Sequence, residues 1–237
     1  MYRRNALMFG FSKATRFLAE SLHQELGNLL IIVDNDEAYQ LAKRSGYHVS
    51  QLDITDDEVL EQLEVGEDDY LICVMRDHYL NVFLTLSLHS LFPKSTIIAL
   101  SDSYHATQKL KMAGASRIID LYQVSANRIH NILTKPVATK LIERLFSPEE
   151  DFSFKEMVIP ENSILDGMMA EEFDFSKHGI ILVGMIDKRL SNQFIFLTSG
   201  LENRFDSGDT LVCIGYNKDL ERFERYMQQQ KEDTSVR

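Results

Sequence analysis

The sequence predicts an α/β protein with a doubly wound parallel sheet, a helical crossover and a smaller mixed α+β C-terminal domain. Three observations lead to this prediction. Over the first half of the chain, short apolar runs alternate with amphipathic segments, as in parallel strands joined by helices. A long helical period then covers residues 123–146. After residue 150 the pattern changes to short strands separated by turns.

The composition is that of an ordinary globular protein, with 237 residues of which 44% are hydrophobic. A formal net charge of -11 argues against a nucleic-acid partner, because phosphate binding needs clustered Lys and Arg. Cys73 and Cys213 stand far apart inside apolar runs, which indicates buried thiols rather than a disulfide. No apolar run approaches the ~20 residues of a membrane helix, so we expect a soluble, cytoplasmic chain.

The first domain should contain six strands with right-handed helical crossovers, which is a Rossmann-type sheet. The expected strands are Ala6–Gly10, Leu29–Val33, His48–Leu52, Tyr70–Val74, Thr96–Leu100 and Arg117–Leu121. The expected helices are Lys13–Leu26, Asp36–Arg44, Asp56–Leu63, Asp77–Leu91 and Tyr104–Ala113.

The helical stretch that follows has one apolar face, formed by Ile129, Ile132, Leu133, Val137, Leu141 and Leu145. Pro136 interrupts this stretch, so we predict two helices that meet at an angle and carry an apolar surface away from the sheet. The predicted domain organisation is 1–121 for the N-lobe, 122–150 for the crossover, 151–228 for the C-lobe and 229–237 for a loose tail.

The C-lobe is predicted from apolar runs separated by Gly, Asn, Asp and Ser clusters. The runs occupy 157–160, 179–186, 192–200 and 209–215, and a short amphipathic helix is expected over Leu220–Met227.

The turn after the first strand resembles an altered dinucleotide-binding turn. In the G-x-G-x-x-G pattern the glycines permit a tight bend, close approach of a pyrophosphate, and close packing of helix on strand. Gly10, Ser12 and Thr15 occupy these three positions. A single phosphate, or no ligand, therefore fits better than NAD, and we expect Ser12 to cap the following helix.

Acidic residues follow the second and third strands, where a nucleotide's ribose and base would lie. Asp34 is placed to hold ribose hydroxyls, and Asp53 to reach the adenosine side of the same crevice. The alternative is a structural role in helix capping, with Asp36 as the cap of the next helix. The full candidate set for nucleotide binding is Gly10, Phe11, Ser12, Thr15, Asp34, Asn35, Asp53 and Val74.

The helix YLNVFLTLSLHSLF carries apolar residues around nearly its whole circumference. A helix on one side of a sheet needs only an apolar stripe, so the outer face should meet another subunit, unless the C-lobe covers it. The candidate interface residues in this helix and the crossover are Leu80, Phe83, Leu84, Leu88, Ile129, Ile132, Leu133 and Leu141.

The ordered set of GFSKAT, IIVDND, LDITD, KMAGASRII, the interrupted helical crossover and a C-terminal VIPENSILDG…GIILVGM…DSGDTLVCIG resembles the RCK family, also called KTN/TrkA-type domains. The resemblance implies a regulator of potassium channels or transporters. It further implies a homo-oligomer, with dimers building an octameric ring at the inner face of the membrane, attached to a pore. An adenine nucleotide (AMP, ADP, ATP or NAD) is the implied N-lobe ligand.

The serine-and-threonine form of the turn resembles the ligand-gated channel branch, which favours the gating ring of a potassium channel. The alternatives are a peripheral subunit of a Trk/Ktr uptake system or an NAD-dependent dehydrogenase. The last is disfavoured because the second half shows no Lys, His or Tyr arrangement for proton transfer. We therefore expect no enzymatic activity.

The resemblance also bears on metal binding. The positions that bind calcium in the similar channel correspond here to Val74, Leu100 and Asp102, and two of these carry no carboxylate, so we expect that site to be lost. Asp102 remains as a candidate metal ligand. The same crevice is bordered by Asp77, His78, Ser101 and His105. One interpretation of these residues is a different site, for a transition metal or a proton; the simpler one is that the histidines are ordinary surface residues.

Overall fold

A computed structural model of the protein describes residues 5–26, 28–147, 149–188, 194–197 and 204–228. The expected tail at 229–237 lies outside these residues. The chain divides into two compact units, Met1–His130 and Asn131–Arg237, which have separate apolar cores.

Unit 1 is built on a six-stranded parallel sheet with the order β3-β2-β1-β4-β5-β6. This confirms the doubly wound Rossmann-type arrangement. Its strands are β1 Asn5–Phe9, β2 Asn28–Val33, β3 His48–Gln51, β4 Tyr70–Cys73, β5 Thr96–Ser101 and β6 Arg117–Asp120. Its helices are α1 Arg16–Glu25, α2 Asp36–Arg44, α3 Asp57–Glu61, α4 His78–Leu91 and α5 Tyr104–Met112.

Both faces of the central strands of this sheet are buried, as their continuous apolar sequences require. Along β1, Leu7 and Phe9 belong to one core cluster, whereas Ala6 and Met8 belong to the cluster on the opposite face. Successive side chains of a strand point to opposite faces, so an entirely apolar β1 needs cover on both sides.

Short polar side chains mark where the helices of unit 1 begin. Asp77 accepts hydrogen bonds from the amides of Tyr79 and Leu80 at the start of α4, at 2.7 and 3.2 Å. Ser103 accepts one from the amide of Ala106 at the start of α5. These bonds satisfy amides that have no partner inside the helix, which fixes the ends of the crossovers at the carboxyl edge of the sheet.

The crossover consists of two helices, α6 Leu121–Thr134 and α7 Pro136–Leu145, as predicted from Pro136. Proline is suited to the first position of α7, because the amide hydrogen that it lacks would have no partner there.

Unit 2 contains a four-stranded antiparallel sheet with the order β7-β10-β8-β9. Its elements are β7 Phe152–Val158, β8 Ile180–Ile186, β9 Phe194–Phe196, β10 Thr210–Tyr216 and α8 Asn217–Met227, with 3-10 turns at Ala170–Glu172 and Phe175–His178. The last helix begins three residues before the predicted Leu220, because its polar first turn has no apolar periodicity. Leu220, Phe223 and Met227 of α8 are buried in the core of this unit.

Candidate functional site

Gly10 makes the bend between β1 and α1 in a conformation that favours glycine. Its φ is 99°, and a Cβ added there would lie 2.9 Å from the carbonyl oxygen of Val74. Phe9 pairs with Ile32 on β2 and with Cys73 on β4, so the three strands end at the same level. Gly10 and Val74 therefore meet at the carboxyl edge of the sheet, where open α/β sheets bind ligands.

Ser12 and Thr15 bond to each other rather than presenting a cap to α1. The amide of Ser12 donates to Oγ1 of Thr15 at 2.9 Å, and the amide of Thr15 donates to Oγ of Ser12 at 3.3 Å. The prediction that Ser12 caps the helix is wrong, because α1 begins at Arg16 and not at Lys13. Thr15 is the N-cap residue, and it makes no side-chain cap hydrogen bond.

Phe11 and Val74 turn their side chains away from the edge of the sheet. Phe11 is 6% exposed and packs against Tyr47, with the ring centroids 5.6 Å apart. Val74 is also buried, and its amide donates to the carbonyl of Phe9 at 2.9 Å. These two predicted nucleotide contacts have only backbone atoms to offer a ligand at this edge.

The end of β2 places a carboxylate and a helix cap side by side. Asn35, not Asp36, is the N-cap of α2, since its Oδ1 accepts from the amide of Ala38 at 2.9 Å. The Nδ2 group of Asn35 donates to Oδ1 of Asp34 at 2.7 Å, which orients that carboxylate. Asp34 itself is exposed, so its second oxygen remains accessible to a ligand.

Asp53, after β3, is held by the residue two positions later. Its Oδ1 accepts hydrogen bonds from the hydroxyl of Thr55 at 2.6 Å and from the amide of Thr55 at 3.0 Å. The hydroxyl bond, and next the amide bond, lower the pKa of Asp53 below its ordinary value. The carboxylate is therefore ionised at neutral pH.

Asp34 and Asp53 line one open cleft with a volume of about 650 Å³. The remaining lining residues are Gln51, Leu52, Ile54, Thr55 and Leu80. The structure thus brings together the two acids that the sequence singled out. Leu80, which is also a predicted interface residue, forms an apolar wall of this cleft and packs partly on the core.

Asn81 in α4 is a residue at this edge that sequence reasoning missed. It is 2% exposed, its Oδ1 accepts from the amide of Met75 at 3.1 Å, and its Nδ2 donates to the carbonyl of Leu100 at 2.9 Å. Asn81 therefore ties the chain leaving β4 to the end of β5. The available signal was a lone amide side chain within the apolar segment YLNVFL.

The predicted metal role of Asp102 finds no support among the described residues. They contain no group of three or more His, Cys, Asp or Glu side chains that could hold a metal ion, and Asp102 itself is exposed. Its buried neighbour Ser101 accepts a hydrogen bond from the hydroxyl of Thr107 at 2.9 Å. That hydroxyl also lies 3.0 Å from Oδ2 of Asp120, so the polar groups here connect β5 to β6.

Two of the predicted interface residues in α4 are core residues. Leu84 and Leu88 are completely buried against the sheet, so their assignment to a subunit interface is wrong. A helix that is apolar all round gives no stripe by which to orient it, and the sheet takes this face. The exposed apolar residues of α4 are Tyr79, Phe83 and Leu86.

The predicted apolar residues of α6 and α7 are exposed. Leu133 is 76% exposed, and Ile129, Ile132 and Leu141 are each about half exposed or more. No residue of α6 is buried. Among the described residues, none of the helices has the length and apolar character needed to cross a membrane.

Comparisons with known proteins agree with this fold. Residues 6–121 match the TrkA-N domain family. Potassium channel protein 1 of Methanocaldococcus jannaschii is 24% identical over 227 residues, which are 94% of this chain and 66% of that protein. The chain thus spans about two thirds of the length of this channel protein.

Two solved structures share the fold. The human SLO3 gating ring superposes with a TM-score of 0.62 at 13% identity, covering 92% of this chain and 46% of that one. The NAD(P)-binding domain of an exopolyphosphatase-related protein from Archaeoglobus fulgidus gives 0.50 at 17% identity, covering 56% of this chain and 99% of that one. Residues 6–121, with their 3-2-1-4-5-6 sheet, are therefore a TrkA-N domain of the RCK type.

Proposed function

We propose that this chain is a cytoplasmic ligand-sensing domain, part of a gating ring that couples ligand binding to the opening or closing of a potassium channel. The TrkA-N match of residues 6–121 and the similarity to an archaeal potassium channel protein support this proposal. The role is regulatory rather than enzymatic. The pore belongs to another part of a longer protein or to a separate subunit.

The observation that carries the proposal is the exposed apolar surface of the crossover helices. We define the crossover surface as Ile129, Ile132, Leu133, Val137, Leu141 and Ile142, all of which are about half exposed or more. Exposed apolar patches of this kind on a soluble chain are typical of subunit interfaces. A second copy of the chain is the occupant that we propose, giving a dimer from which an octameric ring is built.

The ligand site in this proposal is the cleft at the ends of β2 and β3. Asp34 is placed to accept hydrogen bonds from ribose hydroxyls, and Asp53 with the apolar Ile54 and Leu80 borders the space for a base. An adenine nucleotide is therefore the proposed ligand. Its binding drives gating only if the two ring conformations bind it with different affinity.

The assembly is tested by light scattering of the purified chain. We expect a dimer or larger species, and we expect Leu133→Asp to shift it toward monomer, because a charge would be buried in the interface. Asn127→Asp is the matched control, since it adds the same charge on the opposite side of exposed α6. A monomeric wild-type chain at high concentration, or equal dissociation by both variants, would contradict the proposal.

The membrane partner is tested separately from the coding region. A channel predicts a two-helix pore with a selectivity filter, encoded in frame or beside this chain. A neighbouring gene for a multi-helix potassium-uptake transporter would instead favour a peripheral Trk/Ktr subunit.

A further inference from the structure

The hydroxyl groups of Ser12 and Thr15 close the turn between β1 and α1. Each of these residues donates its amide hydrogen to the side-chain oxygen of the other, at 2.9 and 3.3 Å. The two oxygens lie 3.3 Å apart, and the amide of Thr15 also faces the carbonyl of Ser12 at 3.2 Å. We call this arrangement the hydroxyl clasp.

The hydroxyl clasp occupies donors that a dinucleotide turn offers to its ligand. In such a turn the backbone approaches the pyrophosphate at the second glycine, and amides at the helix N-terminus bind phosphate oxygens. Here the second-glycine position carries the Ser12 side chain, and the amide of Ser12 is already bonded to Thr15. A diphosphate would have to displace the bond of the Ser12 amide to Thr15, and the bonds of the Thr15 amide to the hydroxyl and carbonyl of Ser12, before it could bind both amides.

The open cleft lies to one side of this turn. Its lining residues come from the end of β2, the end of β3 and the loop after it, and α4, and they include none of the residues of the turn. Two of them are the carboxylates Asp34 and Asp53, and none is Lys, Arg or His. This lining suits a ribose and a base, and it repels a chain of phosphates placed against it.

We propose that the hydroxyl clasp determines ligand specificity: it excludes the diphosphate of NAD or ADP, so the site accepts a nucleoside or a nucleoside monophosphate. This inference rests on the proposed nucleotide site and narrows the class of its ligand. Ser12 and Thr15 are the specificity-determining residues, and Asp34 and Asp53 hold the nucleoside.

Isothermal titration calorimetry with adenosine, AMP, ADP and NAD tests the proposal. The wild-type chain should bind adenosine or AMP more tightly than ADP and NAD. In the double variant Ser12→Gly and Thr15→Ala both clasp oxygens are removed, which frees the amide of residue 12, whereas the amide of residue 15 still faces the carbonyl of residue 12. Affinity for ADP and NAD should therefore rise roughly 3- to 10-fold, as expected for one hydrogen bond no longer displaced. Affinity for adenosine should stay within about twofold of the wild-type value.

Two further variants separate the clasp from general effects on α1. Ser21→Ala removes a hydroxyl that bonds only the helix carbonyl of Phe17, and it should leave all four affinities unchanged. Thr15→Ser keeps the clasp oxygen and should keep the wild-type preference. If thermal melting shows that the double variant is unfolded, Thr15→Ala alone serves as the test, because it removes the oxygen that the amide of Ser12 bonds, with an increase of about fivefold expected for ADP and NAD.

Three results would overturn the proposal: wild-type binding of NAD or ADP at least as tight as that of AMP, an unchanged ratio after the clasp is removed, or no binding of any of the four compounds by wild type and variants. None of them decides the assembly of the chain, which light scattering measures independently. Conversely, if the chain is monomeric but shows the predicted selectivity, the gating role is contradicted and the specificity assignment is supported.

Discussion

Unit 1 and unit 2 each contain one sheet, but they differ in how much of it they cover. In unit 1 apolar clusters occupy both faces of the parallel sheet. In unit 2 the cluster lies on one face, and the register places Val158, Ile181, Phe196 and Tyr216 together on the other, where all four are exposed. Strands of both sheets are rich in apolar residues, but the second face of the sheet is covered in unit 1 and exposed in unit 2. The apolar content of a strand therefore does not by itself identify an interface.

A natural probe of the two units is present in the chain. Its two cysteines are Cys73 on β4 of unit 1 and Cys213 on β10 of unit 2. Both are buried, and burial raises the pKa of each thiol to about 12. The reactive thiolate is therefore scarce at neutral pH while a unit is closed, so labelling of each cysteine reports the opening of its own unit.

The largest effects are expected from cutting back one core side chain in each unit. Phe223→Ala should destabilise unit 2 by about 3–5 kcal/mol, and Leu84→Ala should destabilise unit 1 by about 2–5 kcal/mol, through lost burial and the cavity left behind. Both side chains are completely buried. Urea unfolding followed by circular dichroism measures the loss.

Thiol labelling with peptide mass spectrometry then shows which unit has opened. Leu84→Ala should accelerate labelling of Cys73, and Phe223→Ala that of Cys213. Leu86→Ala is the matched control for Leu84, since Leu86 is 53% exposed in the same helix and its loss should change stability by less than about 0.5 kcal/mol. Equal acceleration at both cysteines would show that the two units unfold as one.

Much of unit 1 was predictable from the sequence, for a physical reason. Strands buried on both faces are continuous apolar runs, so their positions are visible without knowledge of their neighbours. The orientation of α4 was not visible, because an apolar helix looks alike from every side and only the sheet decides that Leu84 is inside and Leu86 outside. Helix content and helix orientation are thus separate problems.

The candidate site was predictable in its acids but not in its hydrogen bonds. Asp34 and Asp53 follow apolar strands, and the topology alone brings them to one edge. The partners of Ser12 and Asn35 depend on turn geometry at a scale of one residue. Neighbouring Asn and Asp are about equally good caps, so the choice of Asn35 over Asp36 could not be made from residue type.

A smaller loss of stability is expected from replacing Asn81. The polar side chain of this residue is buried, whereas the apolar leucines of α6 are exposed. Asn81→Ala should cost about 1–3 kcal/mol, because the amide of Met75 and the carbonyl of Leu100 each lose a hydrogen bond. The loss should appear in urea unfolding and in faster labelling of Cys73. Asn127→Ala, an exposed amide on α6, is the control and should be near neutral. If both variants were neutral, the link between β4 and β5 would have no energetic role.

The smallest expected effect is a pH dependence confined to unit 2. His178 lies among the rings of Phe173, Phe223 and Tyr226, with centroids 4.7–5.3 Å away. Burial lowers the pKa of His178 below 6.5, positive Arg222 lowers it further, and Asp174 opposes both. The unfolded chain therefore binds the proton more readily, so this contribution to stability is complete above pH 6.5 and is lost as pH falls through the folded pKa.

His178→Phe keeps an aromatic ring at this position and removes the titrating group. Between pH 8 and pH 5 the wild-type chain should therefore lose more stability than this variant, and Cys213 rather than Cys73 should show the difference when labelling rates are normalised for the pH dependence of the reagent. His105→Phe, an exposed histidine of unit 1, should leave the wild-type profile intact. If His178→Phe and wild type followed the same pH profile, protonating His178 in the folded state would have no free-energy cost. The favourable interaction of the imidazolium cation with the three rings would then have to offset the unfavourable effects of burial and of Arg222.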